Sequence, residues 1–290
     1  MKLLIEQNRL SKKSKNKTKG EIMKKLAVIG AGNMGRAIVG GVINSGLLPS
    51  ENVIVSDPYE PSLSIARDSF GVKTTTDSIE AVNEADIVLF AVKPNIIGNV
   101  FLGVKDAIDE NKIIISIAAA TSLDFIQEYL GSNKKIVRVM PNTPALVGEG
   151  MAALSPNKNI SDEDLQSVLK IFNSFGKAEV VPEYLMDSVV GVSGSSPAYV
   201  FMFIEAMADA AVLTGMPRAQ AYKFAAQSVL GAAKMVLETG KHPGELKDMV
   251  CSPGGTTIAA VETLESCGFR NAVIQGQVAC VEKSIDMTNK

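Results

Sequence analysis

The chain has 290 residues, of which 46% are hydrophobic, and its formal net charge is −2. This length suffices for two modest hydrophobic cores, since single cores stop growing at about 250–300 residues. The balanced charge excludes a global attraction to nucleic acid or to an anionic membrane surface and favours a small-molecule partner. The longest uncharged run, residues 188–204, is shorter than the roughly 20 apolar residues of a membrane-spanning helix. We therefore expect a cytoplasmic protein without a membrane segment.

The N-terminal stretch differs in composition from the rest of the chain. Residues 1–22 carry seven Lys or Arg against two Glu, and they lack the apolar run of a signal peptide. We expect residues 1–22 to form a disordered basic tail. Met23, which leads directly into a strand pattern, is a second candidate for the native start.

The cysteines and the single histidine argue against a metal site. Cys251, Cys267 and Cys280 lack CxxC spacing, and with only His242 beside them they cannot build an ordinary structural zinc site. We expect reduced thiols and no metal. His242 precedes Pro243 at a predicted helix start, an exposed turn position that favours a non-catalytic role.

Short apolar runs alternate with helical stretches over the first part of the chain. This β-α-β alternation predicts a Rossmann-like, doubly wound parallel sheet with helices on both faces. We expect the first domain to cover residues 23–182, with helices from about Met34 and Pro61. Its predicted strands cover residues 26–29, 53–56, 72–74, 87–91, 113–117, 136–140 and 152–154.

The second part of the chain contains no convincing strand from Ser195 onward. Ser195, Ser196 and Pro197 are typical of a helix start with hydroxyl caps and a proline in the first turn. We expect an all-helical substrate-binding and dimerisation domain over residues 183–290. Its helices are apolar and carry little charge, so a monomer would expose too much apolar surface, which favours a homodimer through this domain. Further helices are predicted over about 217–239, 244–250 and 256–266, and from residue 269.

The first glycine-rich loop, residues 30–35, reads Gly-Ala-Gly-Asn-Met-Gly between a predicted strand and a predicted helix. This GxGxxG pattern in that context is typical of a dinucleotide-binding unit. Its glycines allow a tight turn, a close approach to a pyrophosphate and close helix–strand packing, while the helix N-terminus binds the anion. The loop therefore predicts that residues 23–182 form an NAD(P)-binding domain and that the cofactor is NAD(P)H.

Two positions at the ends of predicted strands are further candidate cofactor contacts. Asp57 stands 22 residues after Gly35, near the spacing of the acid that binds the ribose, which favours NADH. It also precedes Pro58, as an ordinary turn residue would. Lys93 follows the fourth predicted strand, either as a phosphate or ribose contact or as a solvated lysine. NADPH and NADH both stay open.

The second glycine-rich loop, residues 252–257, reads Ser-Pro-Gly-Gly-Thr-Thr and leads into a predicted helix. Its exposed amides and the positive end of the helix dipole suit a small anion such as a substrate carboxylate. Thr256 and Thr257 add two hydroxyls, one to cap the helix and one to face a ligand. The alternative is a structural connector with a threonine cap.

Two motifs in the second part resemble a known family. Residues 193–199 read Ser-Gly-Ser-Ser-Pro-Ala-Tyr, and residues 246–257 read Leu-Lys-Asp-Met-Val-Cys-Ser-Pro-Gly-Gly-Thr-Thr. With Ala-Val-Lys-Pro at 91–94 and Met-Pro-Asn-Thr-Pro-Ala at 140–145, they resemble pyrroline-5-carboxylate reductase from about residue 24 to 283. The resemblance implies reduction of 1-pyrroline-5-carboxylate to L-proline by NADPH or NADH, the last step of proline biosynthesis. It also implies homodimers that can assemble into rings.

The resemblance further implies residue roles. Thr257 would be the catalytic residue that contacts the substrate, Gly255 and Thr256 would bind its carboxylate, and Glu183 would contact it near the domain junction. We hypothesise that the Thr257 hydroxyl binds the ring nitrogen. The cofactor-binding residues implied are Ile29, Gly30, Ala31, Gly32, Asn33, Met34, Gly35, Asp57, Ser78, Ala91, Val92, Lys93, Pro94 and Ala119.

Three positions depart from the family pattern. Ala120 stands where the family usually has glycine, which leaves the local backbone geometry open. Ser196 replaces a glycine of some members. Met249 stands where some members have a cofactor-contacting asparagine, so that contact is not expected here.

Two competing functions fit parts of the sequence. A hydroxy-acid dehydrogenase of the 6-phosphogluconate-dehydrogenase-like group would share the first loop and a helical second domain, but it would usually carry a catalytic lysine on a helix. Between Ser193 and Lys234 the only lysine is Lys223, outside any recognised motif. A redox-sensing module would bind NAD(P)H without consuming it.

Overall fold

The computed structural model of the chain describes residues 24–288, so the predicted tail, residues 1–22, lies outside the described residues. The first part is an eight-stranded sheet with helices between its strands. The strands are β1 Leu26–Ile29, β2 Val53–Ser56, β3 Lys73–Thr75, β4 Ile87–Phe90, β5 Ile113–Ser116, β6 Lys135–Met140, β7 Gly150–Pro156 and β8 Gly176–Val180. The helices are α1 Asn33–Asn44, α2 Glu60–Phe70, α3 Ser78–Glu84, α4 Pro94–Val104, α5 Leu123–Leu130 and α6 Asp162–Asn173.

The sheet has the topology of a doubly wound dinucleotide-binding fold. Its strand order is β3-β2-β1-β4-β5-β6-β7-β8, and the six strands β1 to β6 run parallel to one another. The strand order reverses between β1 and β4, and such folds bind ligands at this point, beyond the carboxyl ends of the strands. The predicted Rossmann-like sheet is confirmed.

Both faces of the sheet are buried, which explains why most of its strands are almost wholly apolar. In β1, Leu26 and Val28 belong to one hydrophobic core, and Ala27 and Ile29 belong to the core on the opposite face. All four side chains are at most 2% exposed. The strand ends, and the loops that follow them, are therefore held by a core on each side.

The last two strands depart from the predicted pattern. β7 is antiparallel to β6, because only the nine residues 141–149 connect them, whereas a parallel crossover needs a dozen or more. β8 pairs in parallel with β7 and was missed by the sequence analysis. It lies at the sheet edge with Lys177 and Glu179 exposed, so it lacks a continuous apolar run.

The second part is entirely helical over its described residues, as predicted. Its helices are α7 Met186–Val189, α8 Ser196–Leu213, α9 Arg218–Thr239, α10 Pro243–Val250, α11 Thr256–Ser266 and α12 Phe269–Thr288, with a π-helical segment Val190–Gly194 between α7 and α8.

The start of α8 differs from the prediction. The helical path already runs through the π-helical segment, and neither Ser195 nor Ser196 caps a helix. The Ser196 hydroxyl instead donates to the Val192 carbonyl at 2.8 Å. A Cβ on Gly191 would lie 2.9 Å from Cγ2 of Val281, so the missing side chain lets α12 approach closely.

The helical part leaves a large apolar surface exposed. One stretch of the described chain, Glu183–Leu213, is long and apolar enough to cross a membrane by length and composition, and only 6% of its most apolar window is buried. A helix that packs on another subunit passes the same test. The stretch is therefore weak evidence for a membrane segment and direct evidence for an unpaired apolar surface.

Candidate active site

The predicted cofactor residues gather at one edge of the sheet. The first glycine-rich loop follows β1, Asp57 follows β2, Lys93 follows β4 and Ala119 follows β5. Ser78 begins α3 after β3. Since these strands are parallel, their carboxyl ends share an edge, and the structure thus places the predicted residues around the switch point between β1 and β4.

The geometry of the first loop requires glycine at two of its three glycine positions. Gly30 has φ +110°, and a Cβ there would lie 2.5 Å from the Ala91 carbonyl oxygen. A Cβ on Gly35 would lie 2.1 Å from the Gly30 carbonyl oxygen. In contrast, no heavy atom lies within 4 Å of a Cβ on Gly32, so this side of the loop is open to a ligand.

The helix behind this loop presents free amides to an anion. α1 begins at Asn33 with no side-chain cap and no acidic residue in its first turn. The Arg36 guanidinium donates to the Ala31 carbonyl and to Oδ1 of Asn33, both at 2.9 Å, and thereby braces the loop. These features fit a pyrophosphate, which a helix N-terminus binds through backbone N–H groups.

Asp57 makes two hydrogen bonds that the sequence did not reveal. Its Oδ2 accepts from the Ala31 amide and its Oδ1 from the Tyr59 amide, both at 2.8 Å. The carboxylate thus ties the end of β2 to the first glycine-rich loop. Its ribose-binding role stays a prediction, and its structural role is to hold that loop.

Ser78 and Ala119 are predicted to lie at the adenine and nicotinamide ends of the cofactor. The Ser78 hydroxyl lies 3.0 Å from the hydroxyl of the fully buried Ser56. Ala119 is half-buried, and the following Ala120 has φ +55°. Ala120 therefore has the left-handed backbone conformation that favours glycine. The sequence had left the backbone geometry at this position open.

Glu183 links the helical part to the sheet. Its Oε1 accepts from the Leu123 amide at the start of α5, at 2.7 Å, and from Nη1 of Arg138, at 3.0 Å. Arg138 lies on β6 and is buried. A charged residue within an apolar strand indicates a partner of opposite charge. This signal at Arg138 was missed in the sequence. Substrate contact by Glu183 stays a prediction.

The second glycine-rich loop is also followed by an uncapped helix. Gly254 has φ +67°, and the Gly255 amide donates to the Ser252 carbonyl at 3.1 Å. α11 begins at Thr256 with no side-chain cap and no acidic residue in its first turn. Neither Thr256 nor Thr257 uses its hydroxyl in a hydrogen bond within residues 24–288, so the predicted threonine cap is not formed.

The structure does not join the two glycine-rich loops. Across the described chain, no hydrogen bond or ion pair links residues 252–257 to residues 24–182. His242 caps the start of α10, where its Nδ1 accepts from the Gly244 amide at 3.0 Å. The only histidine is thus a helix cap. Residues 24–288 also contain no group of three or more His, Cys, Asp or Glu placed to hold a metal ion.

A hydroxyl cluster at the start of α8 was also missed by the sequence analysis. The Cys280 thiol donates to the Ser195 hydroxyl at 3.2 Å. A hydrogen bond with Cys280, together with burial, raises the pKa of Tyr199. These contacts connect α8 to α12 and use two residues of the Ser-Gly-Ser-Ser-Pro-Ala-Tyr motif, which indicates a packing role for that motif.

Comparisons with known proteins agree with both parts of this description. Residues 183–287 match the family pyrroline-5-carboxylate reductase dimerisation, and residues 25–120 match NADP oxidoreductase coenzyme F420-dependent. The pyrroline-5-carboxylate reductase of Escherichia coli is 55% identical over 261 residues, covering 90% of this chain and 97% of that protein.

Two solved structures are similar in fold and sequence. The pyrroline-5-carboxylate reductase of Coxiella burnetii has a TM-score of 0.87 and 34% identity, covering 92% of this chain and 99% of that one. The pyrroline carboxylate reductase of Plasmodium falciparum, solved with NADP bound, has a TM-score of 0.83 and 35% identity, covering 91% and 98%.

The fold and the first loop define an NAD(P)H-dependent oxidoreductase with a helical second part. With these relatives covering nine-tenths of its length, the chain belongs to the pyrroline-5-carboxylate reductase family. The expected family, enzyme class and cofactor type are therefore confirmed, and the hydroxy-acid dehydrogenase alternative is set aside.

Proposed function

We propose that this chain reduces 1-pyrroline-5-carboxylate to L-proline at a site built from two helix N-termini. This reaction is the one expected from the sequence, and membership of the family confirms it. The observation that carries the proposed site is the pair of glycine-rich loops, each followed by a helix with no side-chain cap and no acid in its first turn.

The two helix starts suit the two anions of the reaction. In the proposal, the start of α1 holds the pyrophosphate of the cofactor, and Gly255 and Thr256 at the start of α11 hold the substrate carboxylate. The remaining predicted cofactor residues, from Asp57 to Ala119, surround the dinucleotide. Glu183, at the junction of the two parts, contacts the substrate.

The chemistry needs little acid–base machinery. The bound dinucleotide supplies the hydride that C5 of the imine receives. If the ring nitrogen arrives protonated, the product amine needs no further proton, which fits a chain whose single histidine caps a helix. The task of the protein is then to orient the substrate. We assign to the Thr257 hydroxyl a hydrogen bond to the ring nitrogen.

Replacement of Thr257 tests this assignment. Thr257→Ala should lower kcat by about tenfold to a hundredfold, the cost of one hydrogen bond to a charged group, in steady-state assays of NAD(P)H oxidation with pyrroline-5-carboxylate. The matched control is Thr263→Ala on the same helix, whose hydroxyl donates to the Ala259 carbonyl. Wild-type turnover in Thr257→Ala would refute the role. Cofactor binding without consumption in the wild type would favour the redox-sensing alternative.

The proposal also covers the assembly. We infer that the chain divides into a dinucleotide domain, residues 23–182, and a helical domain, residues 183–290, and forms a cytoplasmic homodimer through the latter. The exposed apolar surface of Glu183–Leu213 supports this arrangement, because a subunit interface would cover it. We also propose that these dimers can assemble into rings, as the family resemblance implies.

A further inference from the structure

The carboxylate of Asp57 is fixed in place by the backbone on both sides of it. One oxygen accepts the Ala31 amide of the first glycine-rich loop, and the other accepts the Tyr59 amide just beyond β2, each at 2.8 Å. Turning the side chain away would leave both amides without these partners, at a substantial energetic cost. The carboxylate of Asp57 is therefore held in one position at the carboxyl end of β2.

The cations closest along the chain are committed elsewhere. The Arg67 guanidinium donates to Oε1 of Glu60 at 2.9 Å and to Oγ1 of Thr74 at 2.9 and 3.0 Å. Lys73 pairs with two glutamates of α3, and Arg36 is committed to the first glycine-rich loop. The segment after β2 itself reads Asp-Pro-Tyr-Glu-Pro, with two acids and no basic residue. The local charges thus do not favour a phosphate beside Asp57.

We infer that Asp57 determines the dinucleotide specificity of this enzyme and makes it prefer NADH. An acid at this point of the fold accepts a hydrogen bond from the ribose 2′-hydroxyl. In NADPH that hydroxyl carries a phosphate, which a fixed carboxylate repels. The inference rests on the proposed cofactor site at the first glycine-rich loop, and it extends that site to the choice between the two dinucleotides.

The test is a comparison of binding constants in the absence of substrate. Calorimetric titration of the full chain with NADH and with NADPH should give a Kd roughly tenfold or more lower for NADH. Raising the salt concentration should narrow this difference, because salt screens the repulsion of the phosphate. A wild-type chain that binds NADPH more tightly would overturn the inference.

An Asp57→Asn variant separates the charge from the loop anchor. Loss of the backbone hydrogen bonds to residue 57 should weaken the binding of NADH and of NADPH alike. This effect therefore cancels in the ratio of the two Kd values. Loss of the charge favours NADPH alone, and the ratio should move toward NADPH by roughly tenfold. The same ratio of kcat/KM values should follow. An unchanged ratio in a folded variant would also overturn the inference.

The matched control is Asp68→Asn. Asp68 is an exposed acid on α2 that accepts from the Ser64 hydroxyl at 3.0 Å. Its loss should leave the NADH-to-NADPH ratio unchanged, and an equal shift there would show that Asp57 has no special role. If neither dinucleotide binds the wild type, the proposed cofactor site itself fails. If Asp57→Asn does not fold, the wild-type preference and its salt dependence decide.

Discussion

The backbone at Ala120 adopts a conformation that is unfavourable for alanine. Ala120 is the only non-glycine residue with positive φ in the described chain, at +55°. The left-handed region costs an ordinary residue roughly 1–2 kcal/mol, and glycine avoids most of that cost. Ala120→Gly should therefore raise the free energy of unfolding by about 0.5–1 kcal/mol. Urea denaturation followed by circular dichroism measures this change.

A neighbouring substitution controls for the flexibility that glycine adds. Ala119 lies one residue earlier and does not have positive φ. Ala119→Gly should lower the free energy of unfolding, because glycine raises the entropy of the unfolded chain and relieves no strain at this position. If the two variants shift the urea midpoint equally, the strain at Ala120 is not the cause.

At the same scale, residue types and spacings predicted which positions belong to the candidate site. They did not predict the contacts between those positions. The GxGxxG spacing located the first loop, and the distance to Asp57 located the end of β2. The bond from the Ala31 amide to Asp57 could not be foreseen, because it depends on how two strands approach in space. The pairing of Arg138 with Glu183, 45 residues apart, has the same origin.

At the scale of elements, α6 is held to the sheet by one buried carboxylate. Asp164 accepts from Lys24 at 3.2 Å and from Lys135 at 2.8 Å, and the Ser161 hydroxyl donates to it at 2.8 Å. Burial alone would raise the pKa of Asp164, but the hydrogen bonds from Lys135, Ser161 and Lys24 outweigh burial and lower this pKa to about 2. The ionised carboxylate thus stabilises the folded chain.

Replacement of this carboxylate should have an effect that depends on pH. A folded pKa below the unfolded value of 3.8 gives stability that is complete above that value and is lost as the pH falls toward 2. Asp164→Asn should therefore lower the free energy of unfolding at pH 7 by about 2 kcal/mol. The deficit should shrink in urea titrations below pH 4.

The control for this experiment lies in the same turn of the helix. Asp162 is exposed and makes no ion pair among residues 24–288, so Asp162→Asn should cost only the helix-dipole contribution, about 0.5 kcal/mol. Equal costs for the two variants would contradict the role of Asp164.

A strand could be predicted from the sequence most readily where its residues form an apolar run. The buried strands β1, β2, β4, β5 and β6 were predicted from short apolar runs, because both of their faces pack against helices. β8 was not predicted, since three of its five residues are exposed to solvent. β7 is antiparallel to β6 because the connection between them is too short for a parallel crossover. The apolar pattern of the strands does not indicate their direction.

At the scale of the whole molecule, the helical part of a single chain exposes large apolar side chains. A helix that is apolar on all sides is normally buried, yet Phe201 on α8 is 63% exposed and Leu237 on α9 is 82% exposed. The sequence predicted this surplus from composition alone. It could not show which side chains would form the proposed interface, because that depends on the packing of two folded chains.

The apolar surface gives the last prediction, which concerns the oligomer. Phe201→Asp should weaken dimer formation by about a hundredfold or more, because it places a charge in an apolar interface. Sedimentation velocity over a range of concentrations measures the effect, with circular dichroism to confirm folding. Leu102→Asp on α4 is the matched control, since Leu102 is 51% exposed but lies outside the helical part. The wild type and Leu102→Asp should sediment as dimers or larger assemblies, whereas Phe201→Asp should dissociate on dilution. A wild-type monomer, or equal behaviour of all three chains, would contradict the proposed interface.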